Sequence, residues 1–363
     1  MKLAWKELKY FKKKYFFIEL MIVLLVFMVL FLSGLANGLG RAVSAGIEDM
    51  DATHFLMSDS SENLIPVSRL ETGIYEQLKE QTTSRVAPLD IQRMYLCTEK
   101  GGNKLDVAYF AIEKGSFLEP GTYEGTSLED ATVEHGIILD DSFAAEGIAV
   151  GDTVYDSATE MEFRVVGFTK DRMYGHVGAA YVTTESYTDL RTRMDSNYKQ
   201  TYQAFAIEGD DVAGIDLPGT MVVDKKTVIE NIPGYKAEQV TINMIVWVLV
   251  VISAAIIGVF YYIISLQKER QFGVMRALGM ETREIALTVC SQVAMVACIG
   301  AVIANLLTFG MAAMLPEAMP FYLKGSSVAL VTVVFIIVSL LSSLLSLQRV
   351  AKVDPIIAMG GVE

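Results

Sequence analysis

Four long apolar segments constrain what this chain can fold into. They lie at residues 15–40, 242–266, 285–314 and 328–348, and each is long enough to cross a hydrocarbon core about 30 Å thick. Backbone polar groups inside a bilayer must be paired internally, so each segment is predicted to be a transmembrane α-helix. No small-residue cleavage site follows the first segment, which is therefore predicted to remain as an anchor rather than to be removed as a signal peptide.

Basic residues predict the orientation of these helices. Positive charges cluster before the first segment, in the loop 267–284 and in the tail 349–363, whereas the loop 315–327 has only Lys324. The positive-inside rule therefore places both termini and the loop 267–284 in the cytoplasm, and residues 41–241 outside a cell membrane that the chain crosses several times.

Residues 1–14 mix lysines with apolar side chains at helical spacing, which predicts a helix lying on anionic membrane lipids. A simple charge cluster that orients the first span is the alternative interpretation. The lysines and the apolar residues of this segment are Lys2, Leu3, Trp5, Lys6, Leu8, Lys9, Tyr10, Phe11, Lys12, Lys13 and Lys14.

Residues 41–240 contain 17 Lys and Arg against 35 Asp and Glu, a net charge of −18. Nucleic acid is therefore not an expected partner, because binding phosphates needs concentrated basic residues. Short alternating runs such as "DVAYFAI" and "EFRVVGFT" predict strands, and helices are expected near 68–81 and 140–146. The predicted fold class is a membrane α-helical protein with four transmembrane helices and a large extracytoplasmic α+β domain between helices 1 and 2. Segments 41–50 and 225–241 are helical in pattern and are expected to extend the flanking spans as a stalk.

The sequence carries no recognisable catalytic constellation. It has no nucleophile elbow, no HExxH, no paired-cysteine motif and no Walker A loop. Its three histidines are isolated, and its three cysteines have no metal-binding spacing. No catalytic residue, intrinsic metal or covalently bound cofactor is therefore expected. Gly34, Gly38 and Gly40 are interpreted as sites of close helix packing or bending.

The loop after the second span reads "SLQKERQFGVMRALGMETREI" (265–285), in which charged residues alternate with apolar ones. Such a helix can dock into the groove of a partner or pack on its own bundle. "QKERQFGVMRALG" resembles the short cytoplasmic helix of FtsX/MacB-type ABC transporter permeases. "VAKVDPIIAMGG" (350–361) is similar to the end of that family, and "AAEGIAVGDTV" (144–154) to a segment of its MacB-like external domain.

Further segments resemble one subgroup, the heme-exporting Hrt permeases of Gram-positive bacteria. They are "SGLANGLGR" (33–41), "RMYGH" (172–176), "AEQVTINM" (237–244) and "MPFYL" (319–323), and "MKLAWKEL" at the start fits the same subgroup.

The resemblance implies a complex of two copies of this chain with two ABC ATPase subunits, which would bind ATP and Mg²⁺. Closure of the ATPases would then shift the permease dimer between two arrangements. The residues expected to couple the chain to the ATPase are Lys268, Glu269, Arg270, Phe272, Gly273, Arg276, Leu278 and Gly279.

Heme would be the substrate implied by the subgroup, taken from the membrane or its outer leaflet. A heme site combines apolar walls, an axial ligand and a cation for the propionates. Glu48 and Arg41 are the first candidates, although both could simply be stalk surface, and the Met and Tyr residues could be packing. The full set of candidates is Arg41, Glu48, His54, Met173, Tyr174, His176, Tyr235 and Met244, with Met50, Lys236 and Glu238 nearby in sequence.

Three other functions remain open at this point. The chain could export a peptide, a lipid or an antibiotic. It could be a non-transporting mechanotransmitter that regulates a cell-wall enzyme, although its external segment is large for that role. A membrane-anchored enzyme would need a catalytic constellation that the sequence does not show.

Overall fold

The computed structural model describes residue 10, residues 12–316 and residues 319–350, with the backbone alone for residues 14, 282 and 345–350. The chain divides into two compact units. Leu39–Gln239 forms one unit, and Met1–Gly38 together with Val240–Glu363 forms the other. Most of the expected interfacial helix at 1–14 and most of the tail at 349–363 lie outside the described residues.

The α-helices of the described chain include all four apolar segments. In chain order they are α1 (Lys12–Glu48), α2 (Gly73–Gln81), α3 (Ser142–Ala145), α4 (Thr184–Met194), α5 (Lys225–Asn231), α6 (Tyr235–Gln267), α7 (Glu269–Ala277), α8 (Thr282–Ala312) and α9 (Gly325–Val350). Short 3-10 turns occur at Asp59–Ser61 and Ile65–Val67.

Four of these helices, α1, α6, α8 and α9, are long and apolar enough to cross a membrane. The expectation of four transmembrane helices is therefore confirmed for the residues described. Helix α1 continues to Glu48 without a break, past the predicted end of the span at residue 40, because Gly34, Gly38 and Gly40 do not interrupt it.

The unit formed by Leu39–Gln239 is built on strands. They are β1 (His54–Ser58), β2 (Leu70–Glu71), β3 (Arg85–Cys97), β4 (Lys104–Ile112), β5 (Glu124–Gly125), β6 (Gly136–Asp140), β7 (Thr153–Asp156), β8 (Glu162–Thr169), β9 (Met173–Tyr174), β10 (Val177–Thr183), β11 (Thr201–Tyr202), β12 (Ala204–Glu208) and β13 (Thr220–Asp224).

The strands form a mixed sheet in the order β13-β1-β12-β3-β4-β10-β6-β8-β5, with β7 joined to β3 and β8, and β9 joined to β10. Strand pairs β10–β4 and β6–β8 are parallel, and the other pairs are antiparallel. Strands β11 and β2 form a separate two-stranded sheet. This mixture of helices and sheet confirms the predicted α+β class.

The end of α1 is part of the core of this unit. Val43 and Ile47 are almost fully buried with Phe110 of β4 and Tyr174 of β9. At Gly46 an added Cβ would lie 2.9 Å from the Phe110 ring and 3.1 Å from the carbonyl oxygen of Met173. The small residue therefore lets the helix lie directly on the sheet, which positions the side chains at the end of α1.

The membrane unit has its own apolar core. Ile22 and Leu30 of α1 are buried together with Ile257 of α6 and Phe272 of α7. An added Cβ at Gly38 would clash with the backbone of Pro320, and one at Gly34 with the ring of Phe321. These two glycines therefore permit a close approach, but to the connection before α9 and not to another helix as the sequence predicted.

Candidate functional site

The end of α1 carries a compact ionic cluster, and all of it lies within Leu39–Gln239. The two guanidinium nitrogens of Arg41 donate to the carboxylate of Asp49, at 3.2 Å to Oδ1 and 2.6 Å to Oδ2. Arg172 approaches the same Oδ2 at 2.9 Å. One carboxylate is thus shared by two guanidinium groups, and both guanidinium groups have low exposure.

Glu48 lies beside this cluster with a more accessible carboxylate. Its Oε2 is 3.9 Å from Arg41, and its side chain is 40% exposed. The hydroxyl of Ser44, one turn earlier, donates to the same oxygen at 3.5 Å. Glu48 is therefore the acidic group of the cluster that solvent or a ligand can reach.

Lys225 caps the end of α1. Its ammonium donates to the carbonyl oxygens of Glu48, at 2.9 Å, and Met50, at 2.8 Å. Burial lowers the pKa of Lys225, and the nearby carboxylates of Asp51 and Glu48 oppose that shift. A cation at a helix C-terminus satisfies carbonyl groups that have no partner within the helix. Lys225 of α5 therefore fixes the backbone of Glu48.

The hairpin between β9 and β10 binds to α1 through its backbone. Gly175 and His176 have positive φ angles of 58° and 67°, as a tight hairpin turn requires. Their N–H groups donate to the carbonyls of Val43, at 3.0 Å, and Ala42, at 2.8 Å. The "RMYGH" segment is thereby brought against the helix that carries Arg41 and Glu48.

The side chains of this hairpin differ in accessibility. His176 is 46% exposed, and its Nε2 lies 3.2 Å from Oε1 of Glu238. Tyr174 is 5% exposed and packs edge-on against Phe110, and burial raises its pKa to about 12. His176 and the half-buried Met173 are therefore the possible axial ligands here, whereas Tyr174 is a core residue.

Most of the sequence-predicted heme residues come together at this place. Tyr235, at the start of α6, lies beside Ser44 and Glu48. Arg41 and Glu48 are on the last turns of α1, and the hairpin that carries Met173 and His176 is hydrogen-bonded to the same turns. His54 is instead at the start of β1, where its Nδ1 hydrogen-bonds to the hydroxyl of Thr53 and to the carbonyl oxygen of Gly209. Met244 belongs to the other unit, where it is 59% exposed on α6.

Two residues essential to the cluster were not found from the sequence. Asp49 and Arg172 are one acidic and one basic residue among many, and no local spacing signals that they meet. Arg172 directly precedes the hairpin, but its partner Asp49 lies more than a hundred positions earlier in the chain. Only the fold shows that these two residues meet.

In the described chain, no group of three or more His, Cys, Asp or Glu side chains could hold a metal ion. A metal bound through the porphyrin ring of heme needs only one or two axial ligands. His176 and Met173 carry atoms that could act as such ligands. Arg41 and Arg172 carry cations, and each forms an ion pair with Asp49.

The coupling segment has two faces. Lys268, Phe272 and Gly273 are buried within the membrane unit. The ammonium of Lys268 donates to the hydroxyl of Tyr15 at 2.7 Å and to Gln292 at 3.0 Å. The exposed residues follow one helical face, with Arg270 accessible, Val274 46% and Leu278 80% exposed. Glu269 and Arg276 are half-buried, and Gly279, with φ of 94°, follows the end of α7.

Burial assigns a different role to three residues expected at the ATPase contact. The side chains of Lys268 and Phe272 attach α7 to its own bundle, and Gly273 is buried beside them in the sequence. The exposed face formed by Arg270, Val274 and Leu278 is the part of this helix that a partner can reach. The contact with the ATPase itself stays a prediction.

Comparison with known proteins now decides the family. The MacB-like periplasmic core domain matches residues 19–232, and the FtsX-like permease C-terminal domain matches residues 243–355. The chain belongs to the FtsX/MacB-type ABC transporter permeases. As an FtsX/MacB-type permease it is a membrane subunit with an extracellular domain, and it lacks the ATPase motifs that the family's partner subunit supplies.

Relatives that match this permease over their whole length are named for hemin transport. "Putative hemin transport system permease protein HrtB" of Staphylococcus haemolyticus is 30% identical over 364 residues, covering 100% of both chains. The protein of the same name from Staphylococcus epidermidis is 29% identical and covers 99% of both. Among solved structures, the extracellular domain of the noncanonic ABC-type transporter YknZ from Gram-positive bacteria matches with a TM-score of 0.29 and 10% identity, over 43% of this chain and 81% of that one.

Proposed function

We propose that this permease exports heme, taken from the membrane or its outer leaflet, with ATP hydrolysis by a separate ATPase. The observation that carries the proposal is the similarity, over the whole length of both chains, to a protein named for hemin transport. The matches to the two family models name no substrate, so the choice of heme needs support from the site.

The cluster at the end of α1 supports a heme substrate chemically. Heme presents two propionates and an iron with open axial positions, so it requires cations and a His, Met, Tyr or Glu ligand. Arg41 and Arg172 share one carboxylate, and His176, Met173 and Glu48 lie on the elements that surround them. A propionate would compete with Asp49 for the guanidinium groups.

Two copies of this chain and two ATPase subunits would form the transporter, with ATP and Mg²⁺ on the ATPases. The exposed face of α7 would bind the ATPase on the cytoplasmic side, where both termini would also lie. Met244 is on an exposed apolar part of α6 that would face lipid or the second copy. ATP binding would then favour one arrangement of the dimer over the other.

Replacing Arg41 or Glu48 tests the site. In a hemin-sensitive bacterial host that makes the cognate ATPase, Arg41→Gln and Glu48→Gln should each lower the tolerated hemin concentration about tenfold, as expected if each removes about 1.4 kcal/mol of interaction with heme. Co-purification with the ATPase should be unchanged. His176→Ala should show a similar loss if it supplies an axial ligand.

Matched controls are available in the same unit. Arg85→Gln removes a guanidinium paired with Glu208 at 2.8 Å, and His135→Ala removes an imidazole hydrogen-bonded to Ser186 at 3.1 Å. Both controls should keep normal hemin tolerance. Full tolerance in both Arg41→Gln and Glu48→Gln would refute this site, and sensitivity to a peptide, lipid or antibiotic instead of hemin would replace the substrate.

A further inference from the structure

A buried polar contact joins helices within the membrane unit. The ammonium of Lys268 donates to the hydroxyl of Tyr15 of α1 at 2.7 Å and to Oε1 of Gln292 of α8 at 3.0 Å. The hydroxyl of Tyr15 donates to the same Oε1 at 3.3 Å. These three side chains therefore form a closed hydrogen-bonded triangle, the Lys268 cluster.

The backbone of Lys268 belongs to two further helices, because this residue lies alone between α6 and α7. Its N–H donates to the carbonyls of Ile264 and Ser265 in the last turn of α6, at 3.1 Å to each. Its own carbonyl accepts from the N–H of Phe272 in α7 at 3.0 Å. One residue thus links α6 and α7 through its backbone to α1 and α8 through its side chain.

The ammonium of Lys268 is buried at a place where water is within reach of most lysines. Lys268 directly follows the apolar span of α6, and a lysine at the end of a span ordinarily extends its charge to the membrane surface. Lys268 is instead 6% exposed. Removing a charge from water is costly, and an apolar side chain of similar length would fill the same space at a lower cost. Stability alone therefore does not account for a lysine here.

The cavity beside the Lys268 cluster is too small for a ligand. Its volume is about 20 Å³, and its walls include Ile264, Val293 and Val296 as well as the polar side chains of the cluster. A single water needs roughly 10–15 Å³ of such space, so one water fills it. The cluster is therefore a connection between helices and not a binding site.

Hydrogen bonds restrain the helices more strictly than the apolar contacts around them. Phe272 of α7 lies in the apolar core of the unit, but apolar contacts are non-directional and let packed helices slide by small distances. A hydrogen bond is directional and weakens steeply outside a narrow range of distance and angle. The Lys268 cluster therefore fixes the position of the start of α7 relative to α1 and α8.

We propose that Lys268 is a positioning residue that transmits movement of α7 to α1 and α8 through the hydrogen bonds of its side chain. This inference rests on the proposed binding of an ATPase to the exposed face of α7. Helix α1 continues without a break to Glu48. The helix that Tyr15 joins to Lys268 is thus the helix that carries Arg41 and Glu48.

Spin-label distances in the full-length chain, assembled with the cognate ATPase in lipid nanodiscs, test this transmission without a substrate. The parent chain has Cys97, Cys290 and Cys298 replaced by alanine, and Leu24→Cys on an exposed part of α1 carries the label in both copies. With an ATPase that binds but does not hydrolyse ATP, we expect ATP to shift the distance between the two labels by about 2–5 Å. Lys268→Met should lose most of that shift, whereas Lys268→Arg, which keeps donors to both partners, should retain it.

Two further variants separate transmission from stability. Lys324→Met removes the charge of an exposed lysine of the same unit, and it should leave the shift unchanged. Gln292→Met removes the acceptor that the other two side chains share, and it should reduce the shift even if Lys268→Met fails to fold. All variants are compared at equal amounts of co-purified ATPase, because a merely structural role would lower the yield of the complex and leave the shift intact.

A full ATP-dependent shift in assembled Lys268→Met and Gln292→Met complexes would overturn the proposal, and so would the absence of a shift in the parent chain. Heme export by the same complexes is measured separately. A parent chain that shows the shift but exports no heme would refute heme as the substrate. Loss of the shift in Lys268→Met would still support transmission through Lys268 in that case.

Discussion

At the scale of single residues, Asp90 shows how burial governs ionisation in this unit. It is 4% exposed in the middle of β3, and its Oδ1 accepts a hydrogen bond from the backbone N–H of Gln203 at 2.9 Å. In return, Oε1 of Gln203 accepts from the N–H of Ile91 at 2.7 Å. Burial raises the pKa of Asp90 to about 7, against the opposing effects of Gln203, Arg69 and Arg191.

This shift predicts a pH dependence of stability. The pKa of Asp90 is higher in the folded chain than in the unfolded chain, so the folded state binds the proton more tightly. The contribution is fully present below pH 4 and is lost as the pH rises toward 7. Asp90→Asn keeps the acceptor oxygen and removes the charge, so at pH 8 it should stabilise the chain relative to the wild type by on the order of 2 kcal/mol.

Thermal unfolding of both chains at pH 4, 6 and 8 measures this difference. Many other carboxylates titrate in the same range, so the quantity of interest is the wild-type melting temperature minus that of Asp90→Asn. That difference should become more negative as the pH rises. A difference that stays constant from pH 4 to pH 8 would show that Asp90 does not titrate as inferred.

At the scale of elements, β3 is one of the strands that the sequence did not predict, although it is the longest in the sheet. Its run "RVAPLDIQRMYLC" contains Pro88 and Asp90, which are rare in central strands. The structure accommodates them because Asp90 has the partner described above and β3 pairs with both β12 and β4. Only contacts between distant parts of the chain supply those partners. The predicted strand segments "DVAYFAI" and "EFRVVGFT", which have short apolar runs without a proline or an aspartate at their centre, lie on β4 and β8.

Helix α7 illustrates the limit of pattern reasoning in another way. Its amphipathic sequence predicted either docking on a partner or packing on its own bundle. The structure shows the packing face, and the exposed face with Leu278 leaves the docking prediction open. An amphipathic pattern predicts that a helix has an apolar and a polar face, but it does not predict which surface packs against each face.

Substitutions on the two faces of α7 should therefore have different effects. Leu278→Glu places a charge on the exposed face, so it should abolish co-purification with the ATPase while the melting temperature changes little. Phe272→Ala opens a cavity in the apolar core of the membrane unit and should destabilise that unit by about 3–5 kcal/mol. Affinity pull-down of the ATPase and thermal unfolding in detergent distinguish the two. Normal ATPase binding by Leu278→Glu would remove the exposed face from the interface.

At the scale of the whole molecule, the order of apolar segments and acidic domain was readable from the sequence, because hydrophobic length and charge distribution do not depend on tertiary contacts. The family was readable as a resemblance, since its motifs lie at both ends of the chain. The ionic cluster was only partly readable. Arg41 and Glu48 follow from their position at the end of a span, whereas the link from Asp49 to Arg172 depends on the fold.

The heme content of membranes tests heme export by this permease most directly. Hemin-loaded cells would carry this chain with the cognate ATPase, the chain with an ATPase unable to hydrolyse ATP, or the ATPase alone. We expect membrane heme to fall several-fold only in cells with the chain and the active ATPase. Equal membrane heme in all three, with the complex shown to assemble, would contradict heme export by this permease.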